Sequence, residues 1–210
     1  MRKVLVILVL LLVAILGVGD FALKSVAENR IASAAFNTLE LDRRPEVTIE
    51  GFPFLFRLFS GELDSVTLAT DRLTREDVVL RDIEVRFRGV RFSISELIAR
   101  GDSSIGLGRG RGEASLTSED ATSAAQASGA PVTIQFSAGA VTVISDDLGL
   151  EASARLGIQG NDLVVDPDGE IPAVAVPLPE IAPGVTYRSV RLDEGRAVLR
   201  VRMEPMTLRF

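Results

Sequence analysis

The sequence predicts an α+β fold: an N-terminal helix followed by a mainly antiparallel β-sheet, with short helices added. Three observations predict it. Apolar residues recur every three to four positions across 20–41 and every second position from Val47 onward; the first is a helical period and the second a strand period. The strand-like segments carry one apolar and one wet face, as antiparallel sheets do. Turn-forming Gly, Asp, Asn and Pro separate them.

The helix of 20–41 places Leu23, Ala27, Ile31, Ala34, Ala35 and Leu39 on one stripe, and Pro45 prevents its continuation. Strands then follow. Val47 and Ile49 alternate with Glu46, Thr48 and Glu50, and Val66 and Leu68 alternate with Ser65 and Thr67. "RDIEVRFRGVRF" puts Ile83, Val85 and Phe87 on one face and Glu84, Arg86 and Arg88 on the other. The pattern returns at 132–136, 150–158 and 198–203. Short helices are expected at 93–101, between a Ser and a Gly, and at 117–129, where Thr117 precedes Asp120 by three in a capping-box-like start. The second is alanine-rich and expected at the surface. The proline-rich segment 171–184 suits extended chain along a sheet edge, a connector between the last hairpins.

The chain opens on Arg2 and Lys3, then sixteen uncharged, mostly branched apolar residues, 4–19. As a helix these cover about 24 Å, short of the ~30 Å hydrocarbon core, yet they match or exceed a usual signal-peptide core. Either way the positive end stays cytoplasmic and the rest is exported. Residues 1–19 are therefore expected to be a signal peptide or membrane anchor, and 20–210 a single domain. Because the apolar segment runs into the helix with little break, an uncleaved form would be one long rod.

Composition excludes several classes. With 210 residues, a net charge of −6 and no basic stripe, the chain is a poor nucleic-acid binder. Without residues 1–19 the remainder holds 21 basic and 29 acidic side chains, a net −8, so anionic lipid would need a local pocket. There is no Cys and no His, which removes the usual zinc and copper ligands and the Ser-His-Asp and Cys-His nucleophile systems. Carboxylate pairs such as Glu76-Asp77 fall in turns rather than in apolar settings, so a glycan hydrolase is the least favoured class. "DPDG" at 166–169 reads as a turn and not a calcium loop. No catalytic residue, metal or cofactor is expected, and the chain is read as a non-enzyme.

"GLGRGRG" at 106–112 spaces glycines at every second residue, which in a strand leaves a bare strip on one side. Close packing against the N-terminal helix is the expected reason, a ligand groove the alternative. "GFPFLFRLFSG" at 51–61 holds four of the ten Phe, broken by Pro53 and flanked by Gly51 and Gly61. It fits neither a clean strand nor a long helix. It is either a plug closing one end of a curved sheet or a lip that meets a bilayer or an acyl chain. From composition, the plug is favoured.

The motif Gly51-Phe52-Pro53-Phe54-Leu55 with Gly61, the section "VRFRGVRFSISELI" (85–98) and the ending "APGVTYRSVRLDEGRAVLRV" (182–201) together resemble the actinobacterial LmeA-like phospholipid-binding family. The resemblance covers nearly all of 20–210. It implies a cell-envelope protein that binds phospholipid and supports assembly of envelope lipoglycans. It also implies a long helix packed on a strongly curved sheet, as in tubular lipid-binding domains, with an apolar groove between helix and sheet. Phe56-Arg57 departs from the small or polar residues associated with the family, which makes the lip greasier. The resemblance moves the preference from plug to lip. On this reading Phe52, Phe54, Leu55, Phe56, Leu58 and Phe59 contact lipid, joined by Phe87 and Phe92, and Arg57 and Arg91 select the headgroup. Asp at Phe54 or Phe56 is expected to weaken liposome binding while the domain still folds. The expected partners are phospholipid or a membrane surface, and envelope glycan-assembly proteins. The alternative is a tethered scaffold that holds an envelope enzyme and no lipid.

Overall fold

The computed structural model describes residues 2–51, 53–92, 104–145, 147–182, 184–193 and 195–209, with side chains from Gly19 onward except those of 55, 58, 59, 92, 208 and 209. The helix expected at 93–101 lies outside the described residues.

Helix α1 (Arg2–Thr38) is unbroken from the apolar N-terminal segment into the amphipathic one. It ends three residues before the expected Leu41, and Glu40 turns the chain with a φ of 46°. After it come β1 (Glu46–Glu50), α2 (Phe54–Ser60), β2 (Glu62–Arg75) and β3 (Val78–Phe92). Next are β4 (Ser104–Leu107), β5 (Gly110–Thr117), α3 (Ser118–Ala127), β6 (Val132–Ser137), β7 (Ala140–Ser145), β8 (Leu150–Gln159) and β9 (Asp162–Pro167). The chain closes with β10 (Val174–Pro177), β11 (Val185–Asp193), β12 (Arg196–Met203) and β13 (Met206–Arg209).

The strands form two antiparallel sheets. The larger runs β1-β2-β3-β5-β12-β11, with β4 pairing both β3 and β13, and it is strongly curled as a half-barrel. The smaller runs β10-β9-β8-β7-β6. Alternation sets the larger sheet's faces: Ile83, Val85 and Phe87 are buried while Glu84, Arg86 and Arg88 are exposed. The β2–β3 hairpin closes through Glu76 and Asp77, both at positive φ (49° and 66°), as a two-residue turn matched to strand twist requires.

Helix α1 packs on β1, α2 and β13, against both flanks of the half-barrel. Ile31, Ala32, Ala34 and Ala35 are buried beneath it, but Leu23 of the expected stripe is 43% exposed. The Glu28 carboxylate accepts a 2.9 Å bond from the Ile49 N–H, so α1 satisfies an open donor of edge strand β1. The Thr117 hydroxyl caps α3 as expected, accepting from the Asp120 N–H at 3.2 Å. The expected surface position of α3 is corrected: Ala121, Ala124 and Ala125 are buried and α3 wedges between the sheets, touching β3, β5, β6 and β10. Alanine serves here because short side chains let the helix approach both sheets, so that one core is continuous across them.

Candidate functional site

An apolar seam lies where the chain leaving α1 crosses the concave face of the half-barrel. Leu39, Leu41 and Pro45 cover it; Leu68, Val85 and Phe87 form its floor; Ile181 and Met203 close one side. Among the described residues lining it, Thr70 is the one with a polar side chain. Its volume is about 40 Å³, well below the ~300 Å³ of a small-ligand pocket. As it stands it is a narrow seam between apolar walls, too small to hold an acyl chain.

Polar bonds hold that cover at its rim. Arg75 Nη2 donates to the Leu39 carbonyl, and Arg75 Nη1 lies 3.4 Å from the Glu40 carboxylate. The Thr74 N–H donates to Asp42 Oδ2 at 2.8 Å. Arg44 Nη2 reaches back to α1, donating to the Asn29 carbonyl at 2.5 Å and to Ser33 Oγ at 2.7 Å. These contacts are mostly at the surface, where each bond contributes little, so the cover is fastened by several weak ties over a greasy interior.

The Phe-rich stretch is a short helix rather than an irregular loop. Gly51 (φ 115°) and Gly61 (φ 71°) supply the turns into and out of α2. Its first N–H, on Phe54, donates at 2.9 Å to Asp20 Oδ2 of α1, which replaces the missing intrahelical partner. Plug and lip are divided between neighbouring rings. Phe54 is 2% exposed in the core, whereas Phe56 is 74% exposed. Asp at Phe54 would bury a charge, which argues against the expectation that the domain still folds with that change. Phe52, and the side chains of Leu55, Leu58, Phe59 and Phe92, lie outside what the structure describes.

The other expected site residues are scattered. Phe87 is buried and lines the seam, and the Phe92 backbone pairs with Ile105 at the α2 end of β3. Arg57 is already bound, its Nη2 2.9 Å from Asp64 Oδ2. Arg91 is exposed opposite Glu62 on the ladder and makes no ion pair with a described residue. The structure thus brings Phe87 to the seam and puts Phe56, Arg57 and Arg91 at the same end of the sheet.

The alternating glycines do not meet α1, which corrects that expectation. They do not share one strand either: Gly106 is on β4, Gly108 lies between strands, and Gly110 and Gly112 are on β5. A Cβ on Gly110 would sit 2.8 Å from the Phe87 ring, and one on Gly112 would sit 2.2 Å from the Glu84 carbonyl oxygen. Glycine here lets β5 cross against β3 at the bulge between Arg81 and Glu84.

Two contributors escaped the sequence reading. The proline-rich segment does run along an edge as β10, but it then delivers Ile181 to the seam. The buried Tyr187 hydroxyl anchors it by donating to the Pro179 carbonyl at 2.7 Å, and burial pushes the phenol pKa well up. No periodic signal marks Ile181, because prolines interrupt any count of alternation.

A larger concavity of about 250 Å³ lies among Asp82, Glu113, Arg191, Asp193 and Arg196. Its charges satisfy one another: Arg196 pairs with Asp82 at 2.7 Å, and Arg191 with Asp193 at 2.6 Å and Glu113 at 3.3 Å. It suits no acyl chain. Among the described residues, no group of three or more acidic side chains is placed to hold a metal ion, and no helix is long and apolar enough to cross a membrane.

No curated protein sequence and no solved structure matches the chain. The profile described as LmeA-like phospholipid-binding matches residues 18–209, taking in α1 from its middle, the α2 stretch, the seam and nearly all of both sheets. With that match across nearly its whole length, the chain belongs to the LmeA-like phospholipid-binding family.

Proposed function

We propose that the chain is an exported, non-enzymatic envelope protein that shields phospholipid acyl chain in the seam between the α1–β1 connector and the half-barrel, in support of envelope lipoglycan assembly. The observation that carries this reading is the seam itself: apolar walls, a weakly fastened cover, and an exposed aromatic ring, Phe56, on the same domain. Each methylene taken from water into such a seam contributes about 0.8 kcal/mol, so part of one chain offsets the loss of the rim bonds. Mass spectrometry of organic extracts from the purified full chain tests it. Two-chain phospholipid at near one equivalent is the expected result; an extract free of lipid overturns it.

The small volume of the seam favours a second reading, a tethered scaffold that holds an envelope enzyme and no lipid. An empty extract together with a co-purifying envelope protein would support that reading instead.

A further inference from the structure

The outer face of the half-barrel carries a charge pattern that the seam does not use. Arg86 pairs in register with Arg111, and Arg111 with Arg202, so three arginines stand side by side on β3, β5 and β12. All three are exposed. One rung nearer to α2, the exposed Arg88 and Arg109 meet where the Arg88 N–H donates to the Arg109 carbonyl at 3.2 Å. Arg86 is held by Glu50 at 2.8 Å; Arg88, Arg109, Arg111 and Arg202 make no ion pair with a described carboxylate. Like charges directly opposite one another on a sheet destabilise it. In a chain with a net charge of −6, the guanidiniums of Arg88, Arg109, Arg111 and Arg202, unpaired among the described residues, leave this face open to an external anion.

The pattern has a direction. The next rung towards the hairpin turn is acidic, Glu84 opposite Glu113, and the turn itself is Glu76-Asp77. The basic rungs lie at the opposite end, where Glu62 pairs with Arg91 immediately after α2. That end also carries the exposed rings of Phe56 (74%) and Phe21 (75%). The Asp20 bond to Phe54 ties α2 to α1 there, just where the apolar residues 4–19 end. Arginines beside exposed aromatic rings and an apolar segment match a bilayer surface: guanidinium to phosphate, rings to the acyl boundary. A soluble polyanion would use the arginines and leave the rings in water.

We propose that this face, centred on Arg86, Arg111 and Arg202, docks the protein on an anionic phospholipid surface with Phe21 and Phe56 dipping into it. The proposal rests on the lipid-binding reading and names the surface that would hold the domain at the membrane.

Because the chain contains no Cys, Thr186→Cys, opposite Arg202 on the ladder, gives a unique site for a fluorophore. The full chain is reconstituted in phosphatidylcholine vesicles with or without phosphatidylglycerol, each bearing a headgroup quencher. Quenching is expected with phosphatidylglycerol, and it should fade in molar salt, where the Debye length falls to about 3 Å. Removing arginines as R111Q and R202Q should lower the docked-to-free ratio roughly fivefold per residue, while R155Q, remote on β8, should not. Equal quenching in both vesicle types, or an undiminished ratio in R111Q/R202Q, overturns the proposal. So does a wild-type affinity for soluble inorganic polyphosphate, lost in R111Q/R202Q, without any vesicle response. Lipid content of the same preparations is read separately: an empty extract with docking intact sinks the carrier reading and leaves this one standing.

Discussion

Phe54 and Phe56 sit two positions apart on α2 and face opposite ways, so the same substitution should have two outcomes. Phe54→Asp buries a carboxylate and leaves a cavity, and it should destabilise the fold by more than about 3 kcal/mol, seen as loss of the cooperative thermal transition. Phe56→Asp should leave stability within about 0.5 kcal/mol and reduce the depth at which α2 meets vesicles, read with brominated lipids. Asp120 makes a pH-dependent prediction. Burial works to raise its pKa, but bonds from Arg81 Nε at 2.6 Å and from Thr117 outweigh it and hold the carboxyl below its ordinary value. Its contribution is therefore full above the unfolded carboxylate value, about 3.9, and is lost as pH falls through the lower folded value. Asp120→Asn should cost about 1–3 kcal/mol at neutral pH, and the gap from the parent should close in acid unfolding curves below about pH 4.

At the scale of elements, the cover and the floor of the seam can be altered independently. Removing the Arg75 ties with Arg75→Met should speed exchange of bound lipid, measured with a fluorescent phospholipid, with little change in how much is held. Gly110→Ala pushes a methyl against the Phe87 ring and should cost about 1–3 kcal/mol, with less lipid retained because the floor rises. Elements were legible where one physical signal dominated. The strict alternation of β3, the Thr117–Asp120 start of α3 and the long run of α1 all follow from spacing in the sequence. The helical nature of α2 was hidden because Asp20, thirty-four residues away, supplies its cap, and no local pattern reports a distant cap. The burial of α3 was hidden for a related reason: alanine reads as weakly apolar until two sheets close on it.

For the whole molecule, the family and the α+β class could be read from the chain, whereas the expected groove under the helix is in the structure a narrow apolar seam under the connector that follows α1. The arginine face could not be read from the chain. Arg86, Arg111 and Arg202 become neighbours only through the registers of β3, β5 and β12, and a net charge of −6 concealed a local cluster. The contact between α1 and β13 bears on how the protein is made. The half-barrel cannot be flanked on both sides until the last strand has come to lie beside the first helix. Closure over such a separation in sequence is slow compared with hairpin formation. An emerging chain should therefore hold its sheets before α1 is seated, with Ile31 and Ala35 protected late in pulsed hydrogen exchange. During that interval the concave face lies open, so a lipid within reach would enter the seam as part of folding rather than after it.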